Sequence, residues 1–372
     1  FCNDAMKSLK RHLLNKPRLR NIFDATEGGL PPSEDGSKIV VLNDAIKRDD
    51  ESTVPEECRE FMARTGATLV PFDLKLDYSY WTADDVLRQV LPKDCEIPSS
   101  FETIGHIAHL NLRDEHLPYK DIIGQVLLDK NGPRITTIVN KMGSITNEFR
   151  VFPMEVLAGD PDLETEVRQQ GCTFRMNFGE VYWNSRLDQE HRRLVDTYLK
   201  PKDHVWDMFA GIGPFALPAA KKGCVVFAND LNPQSTHWLA YNVKRNKLAN
   251  KIEVHTLDAR AFLRMVAARE SPPPPPARVH IIMNLPALGV EFTDSFRGAF
   301  DPAKWPEDRL PLVHCYNFSK EADPGADVIK RLGEAMCGPP NVVHVHEVRD
   351  VAPRKLMMCV TFTPPTSVAH GG

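Results

Sequence analysis

His204-Val-Trp-Asp-Met-Phe-Ala-Gly-Ile-Gly-Pro-Phe215 is a short apolar run that breaks into Gly211-x-Gly213 and then turns helical. Three more strand-turn units follow it. Val225-Val-Phe-Ala-Asn-Asp230 is an apolar strand ending in an acid, with a helical pattern through Leu248. Lys251-Ile-Glu-Val-His-Thr-Leu-Asp258 ends the same way, and Val279-His-Ile-Ile-Met-Asn284-Leu-Pro286 is almost wholly apolar before its polar end. Apolar runs of this length alternating with helices predict an α/β fold, a parallel sheet covered on both faces. Ligands bind such sheets outside the carboxyl ends of the strands. Gly211, Asp230, Asp258 and Asn284 are expected there.

Outward from this core, 372 residues allow two or three domains. The 42% apolar and 26% charged balance is that of an ordinary globular chain. No run approaches the ~18 apolar residues of a membrane span, so no membrane partner is expected. Eight cysteines without a C-x-x-C pair disfavour a zinc knuckle and point to reduced intracellular thiols. A net charge of −4 argues against a generic nucleic-acid binder. It leaves room for local basic faces, such as the six Lys or Arg and no acid between Lys7 and Arg20. That segment reads as a backbone-contacting helix or as a solvated leader. Opening on Phe1 rather than Met leaves room for a removed N-terminal segment.

Residues 1–35 read as leader and linker. Residues 36–100 read as a small α+β module, with strands at Ile39–Leu42 and Thr68–Leu76 and helices at Pro55–Thr65 and Thr82–Leu91. Residues 101–179 form a second α+β module with a strand over Ile104–Leu112, a helix over Tyr119–Asp129, and alternating Thr136–Lys141 and Glu148–Phe152. Residues 180–372 carry the large sheet, closed by an antiparallel pair over Asn341–Val348 and Leu356–Thr363. His106 and His109 fall on opposite faces of a strand. His344 and His346 share a face but lack further ligands, so all four read as structural and no metal is expected. Pro272–Pro276 reads as an exposed stiff loop.

Gly211-x-Gly213 lacks the third glycine of a dinucleotide fingerprint. Its glycines still allow close approach of a ligand to the backbone. Asp230 has the spacing of an acid that holds a ribose, and Asp258 can accept from an adenine amino group. Ribose and adenine without a pyrophosphate fit S-adenosylmethionine better than NAD. The competing reading is that both acids cap helices. Asn284-Leu-Pro286 stands where amino-methyltransferases keep an Asn/Asp-Pro-Pro-Tyr-like motif and offers a donor and an acceptor. Arg186 and Glu190, four apart, would share a helix face, which by itself describes a solvated ion pair.

Val181-Tyr-Trp-Asn-Ser-Arg-Leu-Asp-Gln-Glu190, Asp207–Phe215, Met283–Pro286, Gly105–Leu112 and Glu148–Gly159 together resemble the eukaryotic and archaeal tRNA (guanine-37, N1)-methyltransferases over most of the chain. The resemblance implies a class I Rossmann-type methyltransferase domain with two smaller N-terminal α+β domains, the first of them for tRNA recognition. It implies Glu190 as general base, with Tyr182, Arg186 and Asn284 around the target guanine and Arg150 on its O6. It implies a cofactor site lined by His191, Asp207, Phe209, Gly211, Gly213, Asp230, Leu231, Asp258, Ala259, Asn284 and Pro286. The partner implied is tRNA with guanine at position 37, met by a monomer in cytoplasm, nucleus or mitochondrial matrix. Aminocarboxypropyl transfer in the wybutosine pathway and non-catalytic tRNA binding are the alternatives.

Overall fold

The computed structural model describes residues 2–28, 38–98, 100–143, 149 and 151–371. They divide into two compact units, Phe1–Ile97 and Pro98–Gly372.

In the first unit, helices α1 (Cys2–Ser8), α2 (Glu56–Thr65) and α3 (Ala83–Val90) accompany an antiparallel pair, β1 (Ile22–Asp24) and β2 (Lys38–Val40). The segment read as a leader is built into this unit. Ala5, Leu9 and Leu13 pack with Val54, Cys58 and Phe61 in one buried cluster. The basic stretch is not one helix, since α1 ends at Ser8, before most of its cations. Residues 68–76 run extended with no strand partner among the described residues, and their half-buried positions, 69, 72 and 74, do not keep a strand's alternation. Thr82 caps α3 through a reciprocal capping box with Asp85.

The second unit opens on a four-stranded sheet of β3 (Glu102–Ile104), β4 (Ile107–Leu110), β5 (Thr137–Lys141) and β6 (Met154–Gly159), with helix α4 (Lys120–Asn131). The single strand expected over 104–112 is broken at Gly105, whose φ of 59° makes a turn, so His106 sits in a hairpin connection. Of the strand expected over 148–152, residues 148 and 150 lie outside the described residues, and β6 begins at Met154. A hairpin of β7 (Glu164–Gln169) and β8 (Cys172–Asn177) leads into helix α5 (Asp188–Tyr198).

The large sheet is then laid down by β9 (His204–Asp207), β10 (Val225–Asn229), β11 (Ile252–His255), β12 (Val279–Met283), β13 (Leu312–Ser319), β14 (Asn341–Ala352) and β15 (Lys355–Thr363). Its order is β11-β10-β9-β12-β13-β15-β14, with β9 to β13 parallel and β15 antiparallel between β13 and β14. The order reverses between β9 and β12, the switch point at which a crevice opens for ligand. All five residues of β12 are buried, as a central parallel strand covered on both faces requires.

Alternate side chains of β9 divide between two cores. Val205 joins helices α5, α6 (Ala216–Lys222) and α7 (Pro233–Arg245), while Trp206 joins α8 (Ala259–Arg269) and α9 (Pro324–Met336). A short C-terminal helix, α10 (Thr366–Ala369), adds Val368 and Ala369 to the second core. The first core continues into Ile104, Ile107, Val139 and Phe174 of the preceding sheet and hairpin. Residues 101–179 therefore share a core with the large sheet. The proline loop is tied down rather than free, because Arg309 donates to the carbonyls of Pro273 and Ala277.

Asn242 of α7 and Asn246, the residue that caps its C-terminal end, join that hairpin to the large sheet. Asn242 Oδ1 accepts from the Arg175 amide at 2.8 Å and its Nδ2 donates to the Arg175 carbonyl at 3.0 Å. Asn246 repeats the pattern on Thr173 at 2.9 and 2.7 Å. Both give the β8 edge the partners a further strand would have supplied. Asn242 is fully buried, so Asn242→Ala strands two backbone groups. A loss of about 2 kcal/mol is expected in urea unfolding; an unchanged midpoint would contradict it.

Candidate active site

The carboxyl ends of β9, β10 and β12 carry the cofactor candidates. Gly211 and Gly213 both adopt positive φ, 54° and 100°, in the turn after β9. The Gly211 amide donates to Asp230 Oδ2 at 2.8 Å, and the Asn232 amide donates to Oδ1 at 2.9 Å. Asp230 thus links the glycine turn to the start of α7, whose cap is Asn232 rather than Asp230. Burial raises the Asp230 carboxyl, and those two amides oppose the rise. Beneath the turn, Asp207 is fully buried with neither oxygen in a full hydrogen bond. Burial pushes it up to about 8, against the nearby Phe209 amide. A Cβ placed on Gly211 would meet nothing within 4 Å. An orphaned buried acid below an open glycine turn suits a ligand that brings donors and little bulk at that point.

Asp258 caps α8, its Oδ1 accepting from the amides of Arg260 and Ala261 at 2.9 and 3.3 Å. The capping reading is therefore realised, with Ala259 buried as the first helical residue. Leu231 is 41% exposed, and Phe209 stands edge-on to Phe292 at 5.1 Å. His191 is buried with neither ring nitrogen partnered, its ring edge-on to Phe215 at 4.6 Å. Burial brings it down to about 3, so it is neutral. Asn284 Oδ1 is likewise buried and unpartnered. The following turn is anchored where Phe318 donates to the Pro286 carbonyl at 2.9 Å.

Glu190, in the first turn of α5, is only 6% exposed. Arg193 clasps it, Nε to Oε2 at 2.6 Å and Nη2 to Oε1 at 2.7 Å. The Tyr316 hydroxyl donates to Oε1 at 2.7 Å, and His346 Nε2 lies 3.4 Å from Oε2. Tyr316, Cys359 and His346 stand opposite one another across β13, β15 and β14. The Tyr316 ring meets Phe215 at 5.8 Å. The carboxylate is thereby joined through Tyr316 to the last residue of the glycine turn.

Arg186 does not share a helix face with Glu190. It lies in the 3-10 turn Ser185–Leu187 before α5 begins, and it pairs with Glu102 of β3. The i,i+4 reading assumed a helix that starts two residues too early, and the ion partner of Glu190 is Arg193, one turn along. His346, read as structural, faces Glu190. Tyr182 is 43% exposed, whereas Trp183 packs on Phe174 at 5.4 Å, so Tyr182 keeps the free ring. Arg150 lies outside the described residues. Arg193 was readable three positions after Glu190, but Tyr316 and His346 arrive from strands more than a hundred residues away and carry no local signal. No group of three or more potential metal ligands is gathered among the described residues, and no helix among them is long and apolar enough to cross a membrane.

Residues 165–345 match the TRM5/TYW2 methyltransferase domain, and residues 83–162 match the TYW2 N-terminal domain. A tRNA (guanine(37)-N(1))-methyltransferase of Phytophthora infestans is 47% identical over 368 residues, 98% of this chain and 87% of that protein. The human protein of the same name is 41% identical over 383 residues, 98% of this chain and 72% of its own length. Among solved structures, aTrm5 in its complex with tRNALeu superposes with a TM-score of 0.67 at 21% identity, over 97% of this chain and 96% of that one. Trm5b from Pyrococcus abyssi gives 0.60 at 24% identity, over 90% and 86%. These structural likenesses bear on the fold, a Rossmann-like domain behind an N-terminal domain, while the sequence identities bear on kinship: the chain belongs to the TRM5/TYW2 family, among its tRNA (guanine(37)-N(1))-methyltransferases.

Proposed function

We propose that this chain transfers the methyl group of S-adenosylmethionine to N1 of guanine 37 in tRNA, with Glu190 as general base. The observation that carries the role of Glu190 is its buried carboxylate, held by Arg193 and tied through Tyr316 and Phe215 to the glycine turn. Guanine N1 bears a proton and its lone pair is delocalised. It must lose that proton before or as it attacks, and a fixed carboxylate accelerates such a step typically ~10²–10⁴-fold. The bound cofactor supplies an already activated methyl, so no metal is required for the transfer itself.

Asp230 and the turn it holds take the ribose side of the cofactor. Asp207 offers its buried oxygens to the amino-acid portion, and Asp258, Ala259 and Leu231 flank the adenine. His191, Phe209, Gly211, Gly213 and Pro286 complete the wall. Asn284 directs a donor and an acceptor at the guanine edge. Arg150 meets the negative charge that builds on O6, where a cation counts most once water is gone, and Arg186 stands beside the guanine. Tyr182 stacks on a base drawn out of the anticodon-loop stack, a movement that costs a few kcal/mol. The first unit, with residues 36–100 at its centre, reads the tRNA body. A monomer working in cytoplasm, nucleus or mitochondrial matrix, where tRNA is found, completes this reading.

The test is single-turnover transfer from labelled S-adenosylmethionine to transcripts carrying guanine or adenine at position 37, with mass analysis of the product nucleoside. Label on the guanine transcript alone, with the mass of one methyl, is expected. The much heavier aminocarboxypropyl adduct would reassign the reaction to the other branch of the family. Binding of tRNA without the cofactor would leave a scaffold only.

A further inference from the structure

Three acceptor positions of Glu190 are in use, and His346 stands over the fourth. Oε1 takes Arg193 Nη2 and the Tyr316 hydroxyl, both at 2.7 Å; Oε2 takes Arg193 Nε at 2.6 Å and faces His346 Nε2 at 3.4 Å. An ionised carboxylate has about four lone-pair sites. Such a group cannot also receive the N1 proton of guanine, so one of the four contacts has to yield.

They are not equally able to. The Arg193 fork is charge-assisted and bidentate, and it presupposes the anion. Tyr316 is fully buried in β13, wedged against Phe215. The His346 contact is the longest of the four, and its side chain is 31% exposed. It stands on β14, the edge strand, whose register slips on both sides of it, between Val342 and His344 and between Glu347 and Arg349. Bulges disrupt the ladder locally and re-aim side chains, so of the four groups His346 is held by the least regular backbone.

Building on Glu190 as the base, we propose that His346 is a placeholder. It occupies the acceptor site of Glu190 that guanine N1–H takes in the tRNA complex, and it withdraws as the base enters. It is a positioning residue, not a catalytic one.

Protonation sets how firmly the placeholder sits. Glu190 and Arg193 of α5, Tyr316 of β13, Cys359 of β15 and His344 of its own strand face His346. Helix α9 packs on the opposite face, where Gly325 approaches Val345. Burial, Arg193 and His344 hold His346 below the ordinary histidine range, and Glu190 opposes them. Tyr316 is raised well above its usual range and Cys359 pushed up to about 12, so both stay neutral. Uncharged, the ring faces Glu190 without forming an ion pair. In acid the imidazolium becomes a second cation on the carboxylate and is harder to displace, so rate is lost on the acid side.

Single-turnover methyl transfer to the guanine-37 transcript is compared for wild type, His346→Gln, His346→Ala and Glu190→Gln. Neither side chain placed at 346 can protonate. Both variant-to-wild-type ratios are expected to climb by about threefold or more as the pH is taken from about 8 down through and below the ordinary histidine range. Binding of S-adenosylmethionine and tRNA should not change. Flat ratios, including variants slower by one factor at every pH, overturn the placeholder and leave a supporting donor. An inactive wild type, or a Glu190→Gln protein as fast as wild type, would instead sink the assignment of the base.

Discussion

Glu190→Gln is expected to lower the single-turnover methyl-transfer rate by roughly 10²–10⁴-fold, the typical contribution of a positioned base. Gln keeps the length of Glu and an oxygen for the Tyr316 hydroxyl, so the packing of Tyr316 on Phe215 is retained. What it loses is the acceptor for the N1 proton and the charge opposite Arg193. Arg193 is 22% exposed, so water can recover part of its solvation. The fold should survive with a melting temperature a few degrees lower, the shift that about 1 kcal/mol produces in a domain of this size. Affinities for S-adenosylmethionine and for tRNA are expected within about threefold of wild type, because uniform binding is untouched. A variant that binds both and still turns over at the wild-type rate would remove Glu190 from the chemistry. A variant that fails to bind the cofactor would place Glu190 in the architecture of the glycine turn instead.

The cofactor end of this site was legible in the sequence because its geometry is local. A strand, a Gly-x-Gly turn, a helix and an acid at the end of the next strand are set by neighbours in the chain, and the Gly211 amide donates to Asp230 there. The surroundings of Glu190 were legible only as far as Arg193, since its other neighbours come from β13 and β14. The error over Arg186 shows the limit. A three-residue turn ahead of α5 changes which cation meets Glu190, and helix starts are the least readable part of a pattern. Residues 68–76 show another limit. Leu69 packs against the first unit's core and Phe72 against Phe23 at 5.0 Å, two positions of opposite parity that one strand face would not both hold. A strand also needs a partner, and alternation does not say whether one exists. Asn242 is the extreme case. Asn inside a helix is an unfavoured choice by propensity, and only the neighbouring hairpin edge explains Asn242, a pairing that Asn246 repeats from the C-cap of the same helix.

Gly213→Ala and Gly211→Ala should separate architecture from ligand within one turn. At Gly213, with φ of 100°, an added Cβ would stand 2.2 Å from Leu217 Cδ1 and 2.7 Å from Leu239 Cδ1. Both leucines are fully buried in the core that carries α6 and α7. Gly213 also donates to the Ala210 carbonyl at 2.8 Å and accepts from the Leu217 amide at 3.0 Å, so it cannot shift without disturbing the start of α6. Backbone strain of about 1–3 kcal/mol and overpacking of similar size predict a combined loss of roughly 2–4 kcal/mol in chemical denaturation. At Gly211, with φ of 54° and nothing within 4 Å of the added carbon, only the left-handed conformation costs, about 1 kcal/mol. There the methyl enters the open space over the turn, and the Kd for S-adenosylmethionine is expected to rise by about tenfold or more, the equivalent of ~1.4 kcal/mol. Calorimetric titration beside urea unfolding would resolve the two effects. If Gly211→Ala bound the cofactor as wild type does, the ligand would not approach that backbone, and Asp230 would hold the turn for stability alone. If instead Gly213→Ala proved as stable as wild type, the turn would be looser than its two buried leucines imply.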